Sequence, residues 1–594
     1  MNLTPEEKLV GQQNYNEALG VSRRDFLKGV IGAGAVSGAG LGAMYFGYSK
    51  VANPVRVGVI GTGDEGNVLI SAINPDYVQV VAIADIRPFN IHRAFHGDHA
   101  STAALAARRG LMNVYGWDTE EEARKHVKVY TEHYQDMLDD PNIEAVICAL
   151  PLFQHHEVAM AALKAGKHVL TEKLMAHTIE ECKDMGRMAN KQGLLLATGH
   201  QRHYSVLYDN AVNLLQWGLL GEVHHIRAQW HRGNLPGSDS WQQPLPGGEV
   251  FADGKKFDYI EHSMKDFIKK AASPDYDPVK SAQYKTLAAQ FTAWNEDRHL
   301  DPTPYGYESL AELCRWRLWD RTGGGLMAEL GSHQLDAASI FISSLRKDGK
   351  KAHPLNVHCV AGQHIFQKDR DADDHVYCMF EFPGSGYENT FDVGYYDARN
   401  DVGSFESNAK KYFRPDKDWK SGSAGVPSYE DDNNKRVVVT YSSINGNGFG
   451  GYGEVVMGTK GTLVLDKEKE VLLYKSGTAN NTKLSIKKDD NGPTMDTQDS
   501  SGGEAAVAQA AATGPVSRGY TEEIEHWAYC IRNPDPENIP KCHPEVAMGD
   551  AVIALTARLA SQRANAGLGG FIEFKEEWFD INSDATPEED YKIS

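Results

Sequence analysis

The chain has 594 residues, 41% of them hydrophobic, enough to bury large cores and, at this length, to suggest two to four domains. Its net charge of -20 argues against a nucleic-acid partner, whose phosphates need a basic face, and otherwise reads as ordinary solubility. Seven cysteines, an odd number without a Cys-x-x-Cys pair, indicate neither a full disulfide framework nor a zinc ribbon, and most are expected as buried thiols.

Residues 1–52 are set apart from the fold. Ser22-Arg23-Arg24-Asp25-Phe26-Leu27-Lys28 precedes an uncharged, glycine- and alanine-rich run from Gly29 to Tyr48, which is the layout of a twin-arginine export signal. A buried helix is the competing reading, but a run holding seven glycines is a poor soluble helix. The expected partner is the twin-arginine translocase, and the expected location is periplasmic or otherwise extracytoplasmic. No clear small-x-small cleavage site precedes Asn53, and residues 29–48 are about long enough to cross a bilayer, so an uncleaved anchor stays open.

Val55 to Asp85 reads as an apolar strand, a Gly-x-Gly-x-x-Gly turn, a helix, a second apolar strand and a terminal aspartate. Each part has a job in holding a dinucleotide. Gly61 allows the tight turn, Gly63 lets backbone approach a pyrophosphate, and Gly66 lets helix and strand pack closely, with Thr62 and Glu65 between them in the loop. Free N–H groups at the helix start face the phosphates. Asp85 can accept hydrogen bonds from ribose hydroxyls and repels a 2'-phosphate, so NAD is expected over NADP. Arg87 is the counter-argument, since a nearby arginine can accommodate that phosphate.

A polar helical stretch from Ile91 to Arg109 follows, then a strand Val127 to Tyr130 and a helix Tyr134 to Leu138. Glu144 to Leu150 is a continuous apolar strand, as expected where helices cover both faces. A helix from His155 to Ala165 stops at Gly166, and Lys167 to Thr171 is the next strand. These elements make residues 53–175 a doubly wound parallel Rossmann domain. Beyond it, residues 176–575 form a second domain: helices over Thr178 to Gln192 and Tyr204 to Trp217, and strands over Leu194 to Thr198 and Val223 to Trp230. Val376 to Phe382, Asn389 to Tyr396, Arg436 to Tyr441 and Gly461 to Leu465 then run without intervening helices, which predicts an antiparallel sheet. Residues 236–304 and 487–515 read as insertions, the latter as a flexible loop, and residues 576–594 as an acidic tail.

The order of these motifs resembles the glucose-fructose oxidoreductase, inositol dehydrogenase and MocA (Gfo/Idh/MocA) family. The residues that carry the resemblance are the fingerprint, Leu150-Pro151-x-x-x-His155, Ala165 to Lys173 (AGKHVLTEK), Gly199-His200-Gln201-Arg202, Gly323-Gly324-Gly325 with Gly331-Ser332-His333 and Asp336, and Met457 to Gly461 (MGTKG). The resemblance implies an α/β fold in which the N-terminal Rossmann domain is followed by a C-terminal α/β domain with a large, mostly antiparallel open sheet that often forms subunit interfaces, hence a homo-oligomer. It implies hydride transfer between NAD and a ring carbon of a sugar or cyclic polyol. It extends the cofactor site to Leu150, Pro151, His155, Glu172, Lys173 and Gln201. It also puts Lys173 beside the reacting hydroxyl and gives His333 the role of general acid/base. Imidazole titrates near neutrality and an ammonium stabilises a developing alkoxide, so the chemistry agrees.

Glu329 stands four residues before His333, on one helix face, where the family often has Asp. That pair could also suit a metal, but no third ligand is evident and no metal site is expected. The family's Pro after Glu-Lys is Leu174 here, which predicts a trans bond and a displaced Lys173 ammonium. His203 stands where a second Arg is common after Arg202. Arg202, His203, Trp230, Arg232 and Trp241 are candidates for the sugar site, aromatic faces suiting the C–H faces of sugars. Three functions compete: an exported NAD(H)-dependent oxidoreductase with a recycled cofactor, an NAD-dependent glycosidase using transient oxidation and elimination, and a non-catalytic sugar-binding protein.

Overall fold

A computed structural model describes residues 3–18, 46–251, 253–346, 350–384, 435–475, 485–489, 492–496 and 518–593. The twin-arginine pair, most of the run after it, the strand expected over Asn389 to Tyr396 and most of 487–515 lie outside the described residues.

Six strands form a parallel sheet: β1 (Val55–Ile60), β2 (Val78–Ala84), β3 (Lys128–Tyr130), β4 (Ala145–Cys148), β5 (His168–Thr171) and β6 (Leu196–Thr198), in the order β3-β2-β1-β4-β5-β6. All four β4 residues are buried because helices cover both faces, which explains its unbroken apolar run. The sheet takes up β6, so it extends past residue 175, where the sequence reading closed it. The helix expected over Ile91 to Arg109 is broken. Helix Pro88–His96 stops where Gly97 takes a positive φ of 83°, and Thr102–Ala107 and Gly110–Tyr115 form separate turns. Helix Ile179–Gln192 opens with a reciprocal Thr178–Glu181 capping box.

The chain then builds β7 (Val223–Arg232), a short hairpin of β8 (Glu249–Val250) and β9 (Lys256–Phe257), β10 (Asn356–Gly362), β11 (His375–Pro383), β12 (Arg436–Asn445), β13 (Tyr452–Gly458), β14 (Gly461–Asp466), β15 (Glu470–Lys475), a hairpin of β16 (Ser485–Asp489) and β17 (Gly492–Asp496), and β18 (Phe571–Glu573). Eight of these form a second sheet in the order β15-β14-β13-β7-β12-β11-β10-β18. All its pairings are antiparallel except β12 with β7, so the mostly antiparallel sheet expected from the run of strands is present. Period-two burial along β12 leaves one face for the core, against which helix Ser332–Ser344 packs.

Segments distant in sequence close the two cores together. Helix Tyr520–Arg532 puts Ile524, Trp527 and Ala528 into the same cluster as Val55, Val57 and Ile147 of the first sheet. Helix Pro544–Asn565 lies between β10 and helix Ile179–Gln192. The stretch 576–593, expected as an acidic tail, is packed: Trp578 is fully buried, and the Lys183 ammonium donates to the carbonyls of Glu577, Ser583 and Ala585.

Helix Pro5–Ala18 docks on β15. Lys8 pairs with Asp466 at 2.6 Å and Glu470 at 2.8 Å, and the Asn14 amide donates to the Leu473 carbonyl. Tyr48, also buried, donates to Glu525 at 2.6 Å. Among the described residues no helix is long and apolar enough to cross a membrane.

Candidate active site

A cavity of about 1030 Å³ lies between the C-terminal edge of the parallel sheet and β7. Its first end is the fingerprint. Gly61 has φ +86°, and a Cβ there would meet the Ala149 carbonyl oxygen at 2.4 Å; one on Gly66 would meet the Gly61 oxygen at 2.1 Å. Both positions therefore require glycine. Gly63, at the mouth of helix Asp64–Ala72, has only Asn90 within 4 Å of such a Cβ, which leaves backbone open to the cavity.

The loop is cinched from within. Asp85 accepts from the Thr62 amide at 2.7 Å and the Arg87 amide at 2.8 Å, with Asn90 beside it. Thr62 is fully buried. The Arg87 guanidinium is held by Asp297 at 2.9 Å, and Asp297 also accepts from the Phe89 amide.

Asp297 belongs to the first insertion, which is built into the site. It follows helices Tyr259–Ala272 and Pro278–Glu296; from the second of these, Trp294 stacks on Phe89 at 4.5 Å and Gln290 bridges the His99 amide and the Asp98 carboxylate. Gln154 donates to the Tyr305 carbonyl and accepts from the Tyr307 hydroxyl. Tyr305 and Tyr307 line the cavity with Leu150, Pro151 and Phe153. The His155 ring sits behind this wall, between the carbonyls of Leu150 and Leu174 at 2.8 and 2.7 Å.

Lys173, Glu329 and His333 converge at the other end. Glu329 lies in a π-helical turn, Met327–Gly331, that runs into the helix bearing His333. The Lys173 ammonium donates to the Glu329 carbonyl at 2.7 Å and stands 3.6 Å from its carboxylate, while Arg317 donates to that carboxylate at 2.7 Å. The Lys173–Leu174 bond is cis, not trans as expected, and the ammonium is in the cavity rather than displaced: buried Leu174 offers its carbonyl to His155, and Glu329 holds Nζ.

Burial alone would raise the Glu329 carboxyl, but Arg317, Lys173 and Arg232 outweigh it and draw it down to about 2. Burial, then the charges of Lys173 and Arg202, holds the His333 imidazole well below its ordinary range, so it rests neutral. Burial with repulsion from Glu65 raises Glu172 to about 8, Lys173 opposing, and burial raises Glu65 likewise. Trp230 stacks on Tyr452 at 4.5 Å and lies 5.6 Å from the His333 ring. Trp241 completes this wall.

Besides Thr62 and Gly66, which shape the fingerprint loop from within, four candidates stand outside the cavity wall. Arg202 is fully buried, with Glu468 at 2.6 Å, Glu454 at 3.3 Å and close contacts to Gln334 and the His333 carbonyl; it fixes the catalytic helix from behind. His203 bonds Asp336 at 2.9 Å. Gln201 is buried away from the cavity, and His155 is the tie already described. His200, Asp336 and Asp550 gather their polar atoms closely behind His333, where the Lys351 ammonium, 2.6 Å from Asp550 and 3.4 Å from Asp336, is the resident cation.

Sequence reasoning missed Arg317, Tyr452, Arg518, Tyr520, Asp297, Tyr305 and Tyr307, all brought in by long-range packing except Arg317. Arg315-Trp316-Arg317, just ahead of the glycine triplet, was a usable signal: it concentrates cation and aromatic, and Arg317 packs on Trp316 at 4.1 Å.

Residues 55–200 match the model of an oxidoreductase family with an NAD-binding Rossmann fold, named GFO_IDH_MocA. Two uncharacterized oxidoreductases of Schizosaccharomyces pombe are 36% identical over 142 residues (23% of this chain, 38% of the relative) and 37% identical over 195 residues (33% and 47%). The inositol 2-dehydrogenase/D-chiro-inositol 3-dehydrogenase of Lactiplantibacillus plantarum is 29% identical over 174 residues, 29% of this chain and 42% of that protein. The chain thus spans less than half the length of these curated relatives. A Gfo/Idh/MocA-type NAD(P)-binding oxidoreductase fold is present in this N-terminal region.

Proposed function

We propose that the chain is an exported, NAD(H)-dependent oxidoreductase that acts by hydride transfer on a ring hydroxyl of a sugar, glycoside or cyclic polyol, with a tightly held and recycled cofactor. The observation that carries this is the convergence of Lys173, Glu329 and His333 in the same cavity as the glycine fingerprint. The residues suit a dinucleotide: Gly63 leaves open backbone at a helix start, and the opposing glycines permit no side chain. Gly61, Gly63 and Asp85 would hold it, and when bound it supplies the nicotinamide that takes up hydride. Neutral His333 takes the hydroxyl proton, and the Lys173 ammonium, fixed by the Glu329 carbonyl, stabilises the alkoxide.

NAD is favoured over NADP because a carboxyl group, Asp85, stands at the end of β2 and Arg87 is committed to buried Asp297. Tyr305 and Tyr307 line the same cavity as the fingerprint, and Asp297 fixes Arg87 beside it, which supports a resident cofactor, as an enzyme without access to a nicotinamide pool would need. Protein purified from its native compartment is expected to carry NAD(H). A panel of monosaccharides, cyclic polyols and glycosides, followed through bound-cofactor absorbance, is expected to include reductants of it. Cofactor-free protein that no sugar or polyol reduces after loading with NAD would overturn the proposal.

One observation favours a second reaction in the same site. Glu172, a carboxyl raised to about 8 beside Lys173, is a proton donor of the kind that elimination of a glycosidic leaving group requires. Release of aglycone from nitrophenyl glycosides without added cofactor would select transient oxidation and elimination over net oxidation.

A further inference from the structure

The substrate end of the cavity carries more positive charge than its own residues balance. Lys173, Arg317 and Arg232 all line it, and Glu329 is the carboxylate they share. Glu172 and Glu65 do not offset them, since burial keeps both carboxyls toward their neutral forms. Arg518, at the same end, is paired with Glu468, which it shares with the buried Arg202. Three cations on one ionised carboxylate leave positive charge in surplus. Passing the hydroxyl proton to His333 keeps that charge in the site, so the reaction does not remove the surplus.

Arg232 is the cation in surplus. Among the described residues its guanidinium makes no hydrogen bond or ion pair; it packs over the Trp230 ring at 5.5 Å. Trp230 and Arg232, two apart on β7, face the same side of the sheet. The Trp230 ring is 5.6 Å from the His333 ring and 5.5 Å from the Arg232 guanidinium, so one aromatic neighbour links the two groups. A sugar bound in the cavity beside Trp230 would present its reacting hydroxyl to His333 and another substituent to Arg232.

We infer that the substrate is an acidic sugar, with a ring carboxylate bound by Arg232 while the hydroxyl reacts between Lys173 and His333. A planar carboxylate suits the guanidinium fork, and its negative charge answers a buried cation that has no other partner among the described residues. Burial pulls the Arg232 guanidinium down, with Glu329 opposing, so an anionic partner is welcome there. The inference rests on the oxidoreductase proposal and names the substrate class for that site.

The test uses the full chain with NAD bound and matched pairs of methyl glycosides in the gluco, galacto and manno series, each uronate against its neutral sugar. Binding is read from quenching of tryptophan fluorescence and turnover from bound-cofactor absorbance. At least one uronate is expected to bind ten- to a hundredfold more tightly than its neutral partner, an advantage that shrinks with added salt. Arg232→Gln should cost the uronate far more affinity than its neutral partner and so erase the advantage, and Arg232→Lys should restore part of it. Neutral sugars bound and oxidised as well as every uronate, or Arg232→Gln weakening both members of a pair equally, would overturn the carboxylate assignment and leave the oxidoreductase proposal standing. Tighter binding of the corresponding sugar 6-phosphates would overturn the carboxylate assignment. Failure of every sugar to bind or react would sink the oxidoreductase proposal itself.

Discussion

At the fingerprint end of the cavity Arg87 lies on Asp297, Arg93 lies on Asp64 and Asp98, and Asp85 is bound by Thr62, Asn90 and the Arg87 amide. At the Trp230 end Lys173 and Arg317 share Glu329, and Arg232, without an ion pair among the described residues, packs over an aromatic ring. The contrast follows from what each end must do. Charges that pair with one another hold a loop in one shape, which suits a permanent occupant offering hydroxyls and phosphates to backbone. Charges left over create a field, which suits a guest that arrives with opposite charge and leaves.

The largest expected effect breaks the chemical end alone. His333→Ala should lower turnover by about 10²- to 10⁴-fold, the usual worth of a general base, with NAD(H) still bound after gel filtration. Loss of cofactor together with activity would count against the division between the two ends. Asp297→Asn is the reciprocal cut. It leaves Arg87 buried without its partner at a cost of about 3–5 kcal/mol, measurable by urea denaturation. It should also let NAD escape on dialysis and improve use of NADP, while turnover with saturating NAD changes little.

Two pH experiments sharpen the contrast. His333 is depressed, so its base form persists below pH 6.5 and activity should fall only as pH drops further; a break at 6.5 or above would contradict its burial and cationic surroundings. Glu172 has the opposite sign. Its carboxyl ionises near 4.5 when unfolded and near 8 when folded, so its effect on stability worsens as pH rises from about 4.5 to 8 and then levels. Glu172→Gln should flatten that slope in denaturation curves taken across the window. The smallest effect is expected remote from both ends, at Lys8→Ala, about 0–1 kcal/mol, because its pairs with Asp466 and Glu470 are partly solvated.

What could be read in the sequence was whatever spacing alone determines. Gly61, Gly63, Gly66 and Asp85 form one strand-turn-helix-strand unit, and Glu329 and His333 are one turn apart, so both could be found without tertiary structure. Arg202 could not be separated from a sugar ligand, because its carboxylates, Glu454 and Glu468, come from around 250 residues further on. The first insertion appeared as an interruption rich in Lys, Asp and aromatics. Only packing shows that Asp297 is the group that answers Arg87. The Lys173–Leu174 bond was expected trans from the missing proline, an intrinsic preference that the surroundings of Lys173 and His155 override.

The docked helix at the start of the chain has a consequence for processing. Pro5–Ala18 is fastened to β15, and Tyr48 is fastened to Glu525, so residues 19–45 connect two points that are both anchored on the folded body. A single cut within that connection would not by itself release what lies ahead of it. The severed piece would stay as a bound peptide, held by the Lys8 pairs and by the buried faces of Tyr15 and Ala18, and would co-purify with the body until denaturant separated them.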